Sequence, residues 1–181
     1  MIGLSHEQLW APWRLGYILG EDKAGPKPLE TSSLEMPPGA DPGCFLCRDV
    51  ADDDDQANLV VYRGAATITV LNRYPYNNGH VLVAPAAHKA HPKELTDDEH
   101  LECQQMIARL VGVIEQTMRA EGFNIGLNLG KTAGAGLPGH LHWHIVPRWN
   151  GDTNFMPVLA GVKSIPQSLE SLWELLHNAL K

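Results

Sequence analysis

The feature that most constrains this chain is the stretch of residues 139–148, Gly-His-Leu-His-Trp-His-Ile-Val-Pro-Arg. Its three histidines, His140, His142 and His144, alternate with apolar residues. Because successive side chains of a β-strand point to opposite faces, we expect the imidazoles to share one face and the apolar residues between them to pack on the other. A strand face that merely meets solvent has no need of three imidazoles. The stretch therefore predicts a functional site on a half-buried strand.

Two kinds of chemistry fit a row of imidazoles: ligation of a metal by all three, or nucleophilic attack assisted by proton donors. The segment before the row favours the second. Residues 128–139 hold four glycines among twelve residues and lead directly into the histidines. Such a loop exposes backbone N–H groups and lets an anion approach closely. An anion-binding loop beside imidazoles indicates phosphoryl chemistry.

The rest of the chain predicts the fold around this strand. Alternating apolar residues bounded by turn residues predict five β-strands, at 59–63, 66–71, 79–84, 123–129 and 140–148. Apolar residues at helical spacing predict two helices: one begins with a capping box at Thr96 and ends at Gly122, and the other spans 167–180. This order predicts an α+β fold in which about five antiparallel strands form one sheet with two helices.

The N-terminal part differs in character from the rest. Residues 1–43 are predicted to form an arm and a connector, and residues 44–181 the domain with its C-terminal helix. The arm carries Trp10, Trp13 and Tyr17, and so much aromatic area predicts packing on the domain or on a partner subunit. The connector is rich in proline and glycine and shows no periodicity, which is typical of a loop.

Charge and hydropathy exclude several classes of partner. The net charge of −7 argues against binding to a nucleic-acid backbone, which needs clustered Lys and Arg. A phosphate site must then be built locally, from loop amides and histidines. No apolar run approaches the length of a membrane span, and the first residues lack the features of a signal peptide. We therefore expect a cytoplasmic protein without nucleic-acid or membrane partners and without an organic cofactor.

The run His-Leu-His-Trp-His-Ile-Val resembles the motif of the histidine triad (HIT) family. The resemblance extends through residues 71–83 and 128–154 and covers roughly residues 44–154. Residues 9–14 and 151–155 resemble a bacterial branch that is similar to diadenosine tetraphosphate phosphorylases. The resemblance implies the HIT-like α+β fold and a homodimer in which two sheets become continuous.

The family implies a role for each triad residue. His142 attacks an α-phosphate and forms a nucleotidyl-histidine, from which water or inorganic phosphate takes the nucleotide. His144 contacts the phosphate and balances charge, and His140 orients the row or ligates zinc. The nucleotide and its phosphates are expected to contact seven further residues: Asn72, His80, Asn128, Thr132, Gly134, Gly136 and Gly139. Asn72 is the expected sugar contact, and the loop amides are expected to stabilise charge on the phosphate oxygens.

The glycine-rich loop departs from the family pattern at one point. Relatives often carry Ser or Gln shortly after the Ala-Gly of this loop, where it assists the leaving phosphate. This chain has Ala133-Gly134-Ala135-Gly136 instead. Thr132 is the residue that could substitute. The departure leaves the substrate and the acceptor open, so hydrolysis and phosphorolysis both remain.

Cys44-Phe-Leu-Cys47 raises a separate question. The residues alone allow two buried thiols, a redox pair or half of a zinc site, and the redox pair is disfavoured because no strand precedes it and no helix pattern follows. The resemblance implies a structural zinc ion held by Cys44, Cys47, His88 and His140, with His91 as the competing fourth ligand.

Two further functions stay open. A metallohydrolase could hold a catalytic zinc with His140, His142 and His144, but Cys44 and His88 would then have no role. A nucleotide-binding module without turnover is the non-enzymatic alternative.

Overall fold

The computed structural model describes residues 34–160 and 162–181. Of these, residues 34–152 and 165–181 belong to one compact unit, and residues 153–160 and 162–164 belong to a second. The predicted arm with Trp10, Trp13 and Tyr17 lies outside the described residues. Of the predicted connector, residues 34–43 are described, and they form turns and irregular backbone, as expected.

The larger unit is built on one antiparallel sheet. Its five strands are β1 (Val60–Arg63), β2 (Thr67–Leu71), β3 (Val81–Pro85), β4 (Gly122–Leu127) and β5 (Trp143–Arg148). They lie in the order β1-β2-β3-β5-β4, and every neighbouring pair is antiparallel. The order inserts β5 between β3 and β4. His144 is therefore paired with Leu82 on one side and Gly126 on the other.

The described residues contain five α-helices: α1 (Phe45–Ala51), α2 (Asp55–Asn58), α3 (Asp97–Met118), α4 (Met156–Ala160) and α5 (Leu169–Ala179). The capping box predicted at Thr96 is confirmed, because Thr96 accepts from the Glu99 amide and Glu99 accepts from the Thr96 amide. The predicted end at Gly122 is wrong. The helix stops at Met118 because Arg119 adopts a left-handed conformation with φ 54°, and Gly122 opens β4.

The expectation that no helix follows the first cysteine is also wrong. Cys44 precedes α1, and Cys47 lies within that helix. Seven residues make only two turns, which is too short for apolar periodicity to be recognised in the sequence. The helix is stabilised by burial of Leu46 and Cys47 against the sheet.

Two apolar clusters occupy opposite faces of the sheet. On one face, α3 and α5 cover Val81 and Val83 of β3, and the apolar residues of the triad segment join them, as predicted: Leu141, Trp143 and Ile145. On the other face, α1 covers Leu82 and Ala84. Full burial of one such aliphatic side chain stabilises the fold by about 1.5–3 kcal/mol. The central strands are therefore covered by apolar side chains on both faces of the sheet.

In the second unit, α4 is short. Val158 and Leu159 on it, and Phe155 just before it, are exposed. Among the described residues, no helix has the length and apolar character that crossing a bilayer requires.

Candidate active site and metal centre

The three triad histidines divide between two clusters. The predicted strand 140–148 is wrong at its start, since β5 begins at Trp143. The segment before it is held elsewhere: the Leu141 amide donates to the carbonyl of Lys89. His140 is 0% exposed, and its Nδ1 lies 3.3 Å from Cys44 Sγ. The rings of His142 and His144 lie together, with centroids 5.0 Å apart. The three imidazoles therefore do not form one row.

His142 is held in the tautomer that a nucleophile needs. Its Nδ1 lies 2.8 Å from the backbone oxygen of His140. A carbonyl oxygen can only accept, so Nδ1 carries the hydrogen and Nε2 of the neutral ring keeps its lone pair. Burial lowers the pKa of His142, which favours the neutral ring. The imidazole is thus held neutral, with the lone pair on Nε2 that a nucleophile would use.

His144 is held in the tautomer of a proton donor. The Tyr76 amide donates to Nδ1 of His80 at 3.1 Å, so neutral His80 carries its proton on Nε2. That nitrogen lies 3.0 Å from Nδ1 of His144, which must accept. The proton of neutral His144 is then on Nε2, and the side-chain amide of Asn128 lies 3.5 Å from this atom.

The two predicted asparagines lie beside these imidazoles. Asn72 follows β2 directly, and its Nδ2 lies 3.3 Å from Nδ1 of His80. Asn128 follows β4 and reaches His144, as expected for a polar face of that strand that joins the histidines. Four of the predicted site residues thus converge through the neighbouring strands β2, β3, β5 and β4: Asn72, His80, His144 and Asn128.

The glycine-rich loop forms a short 3₁₀ turn at Lys131–Ala133. Gly130 and Gly134 flank it with φ 81° and 88°, a backbone conformation that residues with a side chain rarely adopt. Thr132, Gly134 and Gly136 are exposed. The Gly134 amide donates to the carbonyl of Lys131 at 2.9 Å, so in this conformation it is engaged within the loop. This amide would have to be released before it could bind a phosphate.

Gly139 lies at the other cluster. A Cβ at this position would be 3.4 Å from Nε2 of His88, so the glycine lets the chain pass closely beside that imidazole. Its predicted place in the phosphate-binding set stays a prediction.

Four side chains form a group suited to a metal ion: Cys44, Cys47, His88 and His140. Their ligand atoms all lie within 4.8 Å of one another. Cys47 Sγ lies 3.2 Å from His88 Nδ1 and 3.5 Å from His140 Nδ1. Tetrahedral zinc, with bonds of about 2.3 Å to sulfur and 2.0 Å to nitrogen, separates its ligands by about 3.3–3.8 Å. The donor set fits zinc, the separations of Cys47 from both histidines are close to these values, and four protein ligands would leave no position open.

The alternatives for the metal are less well supported by the geometry. His91 lies outside the group and uses its Nδ1 to accept from the Lys93 amide at 3.2 Å. Among the residues that the structure describes, His142 and His144 belong to no such group either. Among the described residues, the group that could hold a metal therefore contains His140 and not His91, and a zinc ion held by the three triad histidines has no support.

The surroundings of His140 agree with metal binding. Its Nε2 lies 2.8 Å from the Pro85 carbonyl, so Nε2 donates and the Nδ1 lone pair faces the thiols. Burial lowers the pKa of His140 to about 4, which keeps the ring neutral. Burial also raises the pKa of the Cys44 thiol to about 12. A thiolate here would need a cation beside it, which a bound metal supplies.

Comparison with known proteins agrees with this geometry. Residues 54–151 match the family model described as the HIT domain. Over 170 residues the chain is 39% identical to the AP-4-A phosphorylase of Mycobacterium tuberculosis, an alignment that covers 94% of this chain and 82% of that protein. This chain belongs to the histidine triad family. The predicted family and the predicted α+β fold are both confirmed.

Further HIT relatives span several activities and include a metal-bound structure. The asymmetrical bis(5'-nucleosyl)-tetraphosphatase of Schizosaccharomyces pombe is 36% identical over 51% of this chain and 50% of its own. A zinc-bound histidine triad protein from Mycobacterium smegmatis superposes with a TM-score of 0.61 and 26% identity, over 76% of this chain and 92% of that one. The names of the relatives bear out the prediction of an enzyme of nucleotide hydrolysis or transfer.

Tyr76 also belongs to this site, although no role was predicted for it from the sequence. Its amide sets the tautomer of His80, and its ring stacks on His144 with centroids 5.5 Å apart and an interplanar angle of 21°. The residue lies within the segment 71–83 that carries the family resemblance. A backbone hydrogen bond leaves no signature in residue type, so nothing else in the sequence could have singled it out.

Proposed function

We propose that this HIT protein cleaves dinucleoside polyphosphates of the diadenosine tetraphosphate type, or nucleoside phosphates, through a nucleotidyl-histidine on His142. The observation that carries the proposal is the 2.8 Å contact from Nδ1 of His142 to the backbone oxygen of His140. It leaves Nε2 as the only ring nitrogen with a lone pair, and burial keeps that lone pair unprotonated. A neutral imidazole held in this way is a competent nucleophile toward phosphorus.

In the first step, the Nε2 lone pair of His142 forms a bond to the α-phosphorus while the bond from phosphorus to the bridging oxygen breaks. The leaving phosphate takes the bonding electrons. The Nε2 N–H of His144 donates a hydrogen bond to the phosphate and stabilises the developing charge, while the Nε2 N–H of His80 donates to Nδ1 of His144 and holds His144 in this tautomer. In the second step, an acceptor oxygen attacks the same phosphorus and the phosphorus–nitrogen bond breaks, which restores neutral His142.

The remaining site residues bind the nucleotide in this proposal. Asn72 contacts the sugar, and Asn128 contacts the phosphate beside His144. Loop amides from Gly136 and Gly139, with the Thr132 hydroxyl, contact the nonbridging oxygens. Release of the Gly134 amide from Lys131 would add a further donor.

Inorganic phosphate is the acceptor that the comparisons favour, since a relative that is 39% identical over 94% of this chain is named a phosphorylase. Incubation with diadenosine tetraphosphate, with and without phosphate, should decide. We expect ADP and ATP only when phosphate is present, since phosphorolysis places the added phosphate on the transferred AMP. AMP together with ATP, formed without phosphate, would instead identify a hydrolase. Tight nucleotide binding with no product under either condition would identify a binding module.

We also propose a homodimer. β4 lies at one end of the strand order, and Ile125 on it is 45% exposed. An edge strand with an exposed apolar side chain is a site for pairing with another chain. Pairing of two β4 strands would make the continuous sheet that the family resemblance implies.

Sedimentation of the full chain at micromolar concentration should give the mass of a dimer, and Ile125→Lys should shift it toward the monomer because it places a charge in the pairing edge. A wild-type protein that sediments as a monomer would contradict the proposal.

We also propose that the enzyme is cytoplasmic. Its three cysteines form no disulfide, which suits a reducing compartment.

A further inference from the structure

A buried carboxylate lies just beyond the end of β5 and takes no part in the proposed chemistry. The Asp152 side chain is 8% exposed and accepts from Nε and Nη2 of Arg148 at 2.6 and 2.9 Å and from the Trp149 amide at 3.2 Å. It also accepts from Nδ2 of Asn77 at 2.7 Å. The Arg148 side chain is 45% exposed, and an ion pair to so exposed a partner contributes little by itself. The bond to Asn77 points to another role.

Asn77 connects this carboxylate to the loop between β2 and β3. The side chain is 4% exposed, and its two N–H groups are both used, one on Asp152 and one on the Pro147 carbonyl at 3.0 Å. The backbone carbonyl of Asn77 accepts from the His80 amide at 3.3 Å. The amide just before Asn77 is that of Tyr76, which donates to Nδ1 of His80. Two backbone groups therefore contact His80, the Asn77 carbonyl at its amide and the Tyr76 amide at Nδ1. The Asn77 side chain anchors the segment that carries both.

We infer that Asp152 and Asn77 are positioning residues that keep the proton of His80 on Nε2. Asp152 and Pro147 hold Asn77, and Asn77 holds the Tyr76 amide against Nδ1 of His80. While that amide occupies Nδ1, the proton must be on Nε2, where it donates to His144. Asn72, 3.3 Å from the same Nδ1, restrains the tautomer from the other end of the loop but does not anchor the Tyr76 amide.

Loss of the anchor should let the Tyr76 amide move away, so that His80 exchanges between its two tautomers. In the Nδ1-protonated form, Nε2 of His80 offers a lone pair to His144 instead of a proton, and the hydrogen bond reverses. His144 would then carry its proton on Nδ1 and could not donate from Nε2. The effect on turnover rests on the proposed function, whereas the effect on the tautomer does not.

The test compares Asn77→Ala and Asp152→Ala with the matched control Gln167→Ala. Gln167 accepts from Nδ2 of Asn78 at 2.7 Å, so the control releases the next residue of the same loop and leaves the Asp152 anchor intact. Long-range ¹H–¹⁵N correlation of the imidazoles reports which ring nitrogen is protonated. His80→Gln assigns the resonance. Thermal unfolding establishes that each variant is folded.

We expect wild type and Gln167→Ala to show His80 protonated on Nε2 only, and Asn77→Ala and Asp152→Ala to show mixed protonation. In these two variants kcat should fall by about 10-fold to 100-fold with KM nearly unchanged, as for small misplacements of a catalytic group. An unchanged His80 pattern in both variants would overturn the inference. So would an equal change in Gln167→Ala, since it would mean that any loosening of the loop has this effect.

Two results keep the test decisive. If Asp152→Ala fails to fold, Asp152→Asn keeps one oxygen toward Asn77, and a partial change in the His80 pattern supports the inference while none overturns it. If the tautomer changes as expected but the wild-type protein turns over no nucleotide, the proposed function fails and the inference stands.

Discussion

Replacing His142 with Asn should lower turnover by on the order of a million-fold, the scale seen when a covalent nucleophile is removed. Asparagine offers no nitrogen lone pair to phosphorus, so the first bond cannot form. The fold should persist, because the packing face of this segment is formed by Leu141, Trp143 and Ile145 and stays unchanged. Nucleotide binding should also persist, since the loop and the asparagines remain. Steady-state kinetics and equilibrium binding measure the two effects separately.

Trapping distinguishes the nucleophile from its neighbours. Wild-type protein mixed with substrate and quenched within one turnover should carry an acid-labile nucleotidyl phosphoramidate on His142. His144→Asn is the matched control: it removes a proton donor, so turnover should fall by about 10²-fold to 10⁴-fold while the labelled intermediate still forms. A label on His140 or His144, or near-normal turnover of His142→Asn, would show that the roles are assigned wrongly.

Purified protein should contain about one zinc ion per chain, and Cys47→Ser should lose it with a large loss of stability. Binding of structural zinc contributes on the order of 10–16 kcal/mol in small zinc domains, and part of that free energy would be missing from the folded state. The ligand His140 also accepts the Nδ1 hydrogen of His142 through its carbonyl. Loss of metal should therefore lower turnover as well. Metal analysis and thermal unfolding with and without a chelator measure these effects.

Cys103 provides the control for that experiment. It is a buried free cysteine on α3 and lies outside the metal-binding group. Cys103→Ser makes the same replacement of a buried thiol as Cys47→Ser, but the variant should retain zinc. Comparing the two variants separates the loss of a ligand from the general cost of replacing a buried thiol. Wild-type protein that is fully folded, free of metal and indifferent to chelator would rule out the structural zinc site.

Much of the fold was predictable because it depends on local patterns. The alternation around His142 predicted which residues join the core, and the capping box at Thr96 predicted where α3 begins, since both depend on neighbours a few residues away. The short helix α1 was missed for the same reason, because two turns show too little periodicity. The group suited to a metal was predictable only through the family resemblance, since Cys44 and His140 are 96 residues apart and local spacing carries no information about their contact.

The sequence by itself determined the family, the sheet with its two main helices, and the residue types at the site, because these follow from period, turn chemistry and motif. Only the tertiary structure decided how the triad is divided, with His140 in the group suited to a metal and His142 and His144 in the candidate active site. It also decided the tautomers of His80, His142 and His144. A tautomer depends on which donor or acceptor lies within about 3 Å of each ring nitrogen, and those partners are backbone groups and distant side chains that folding alone brings together.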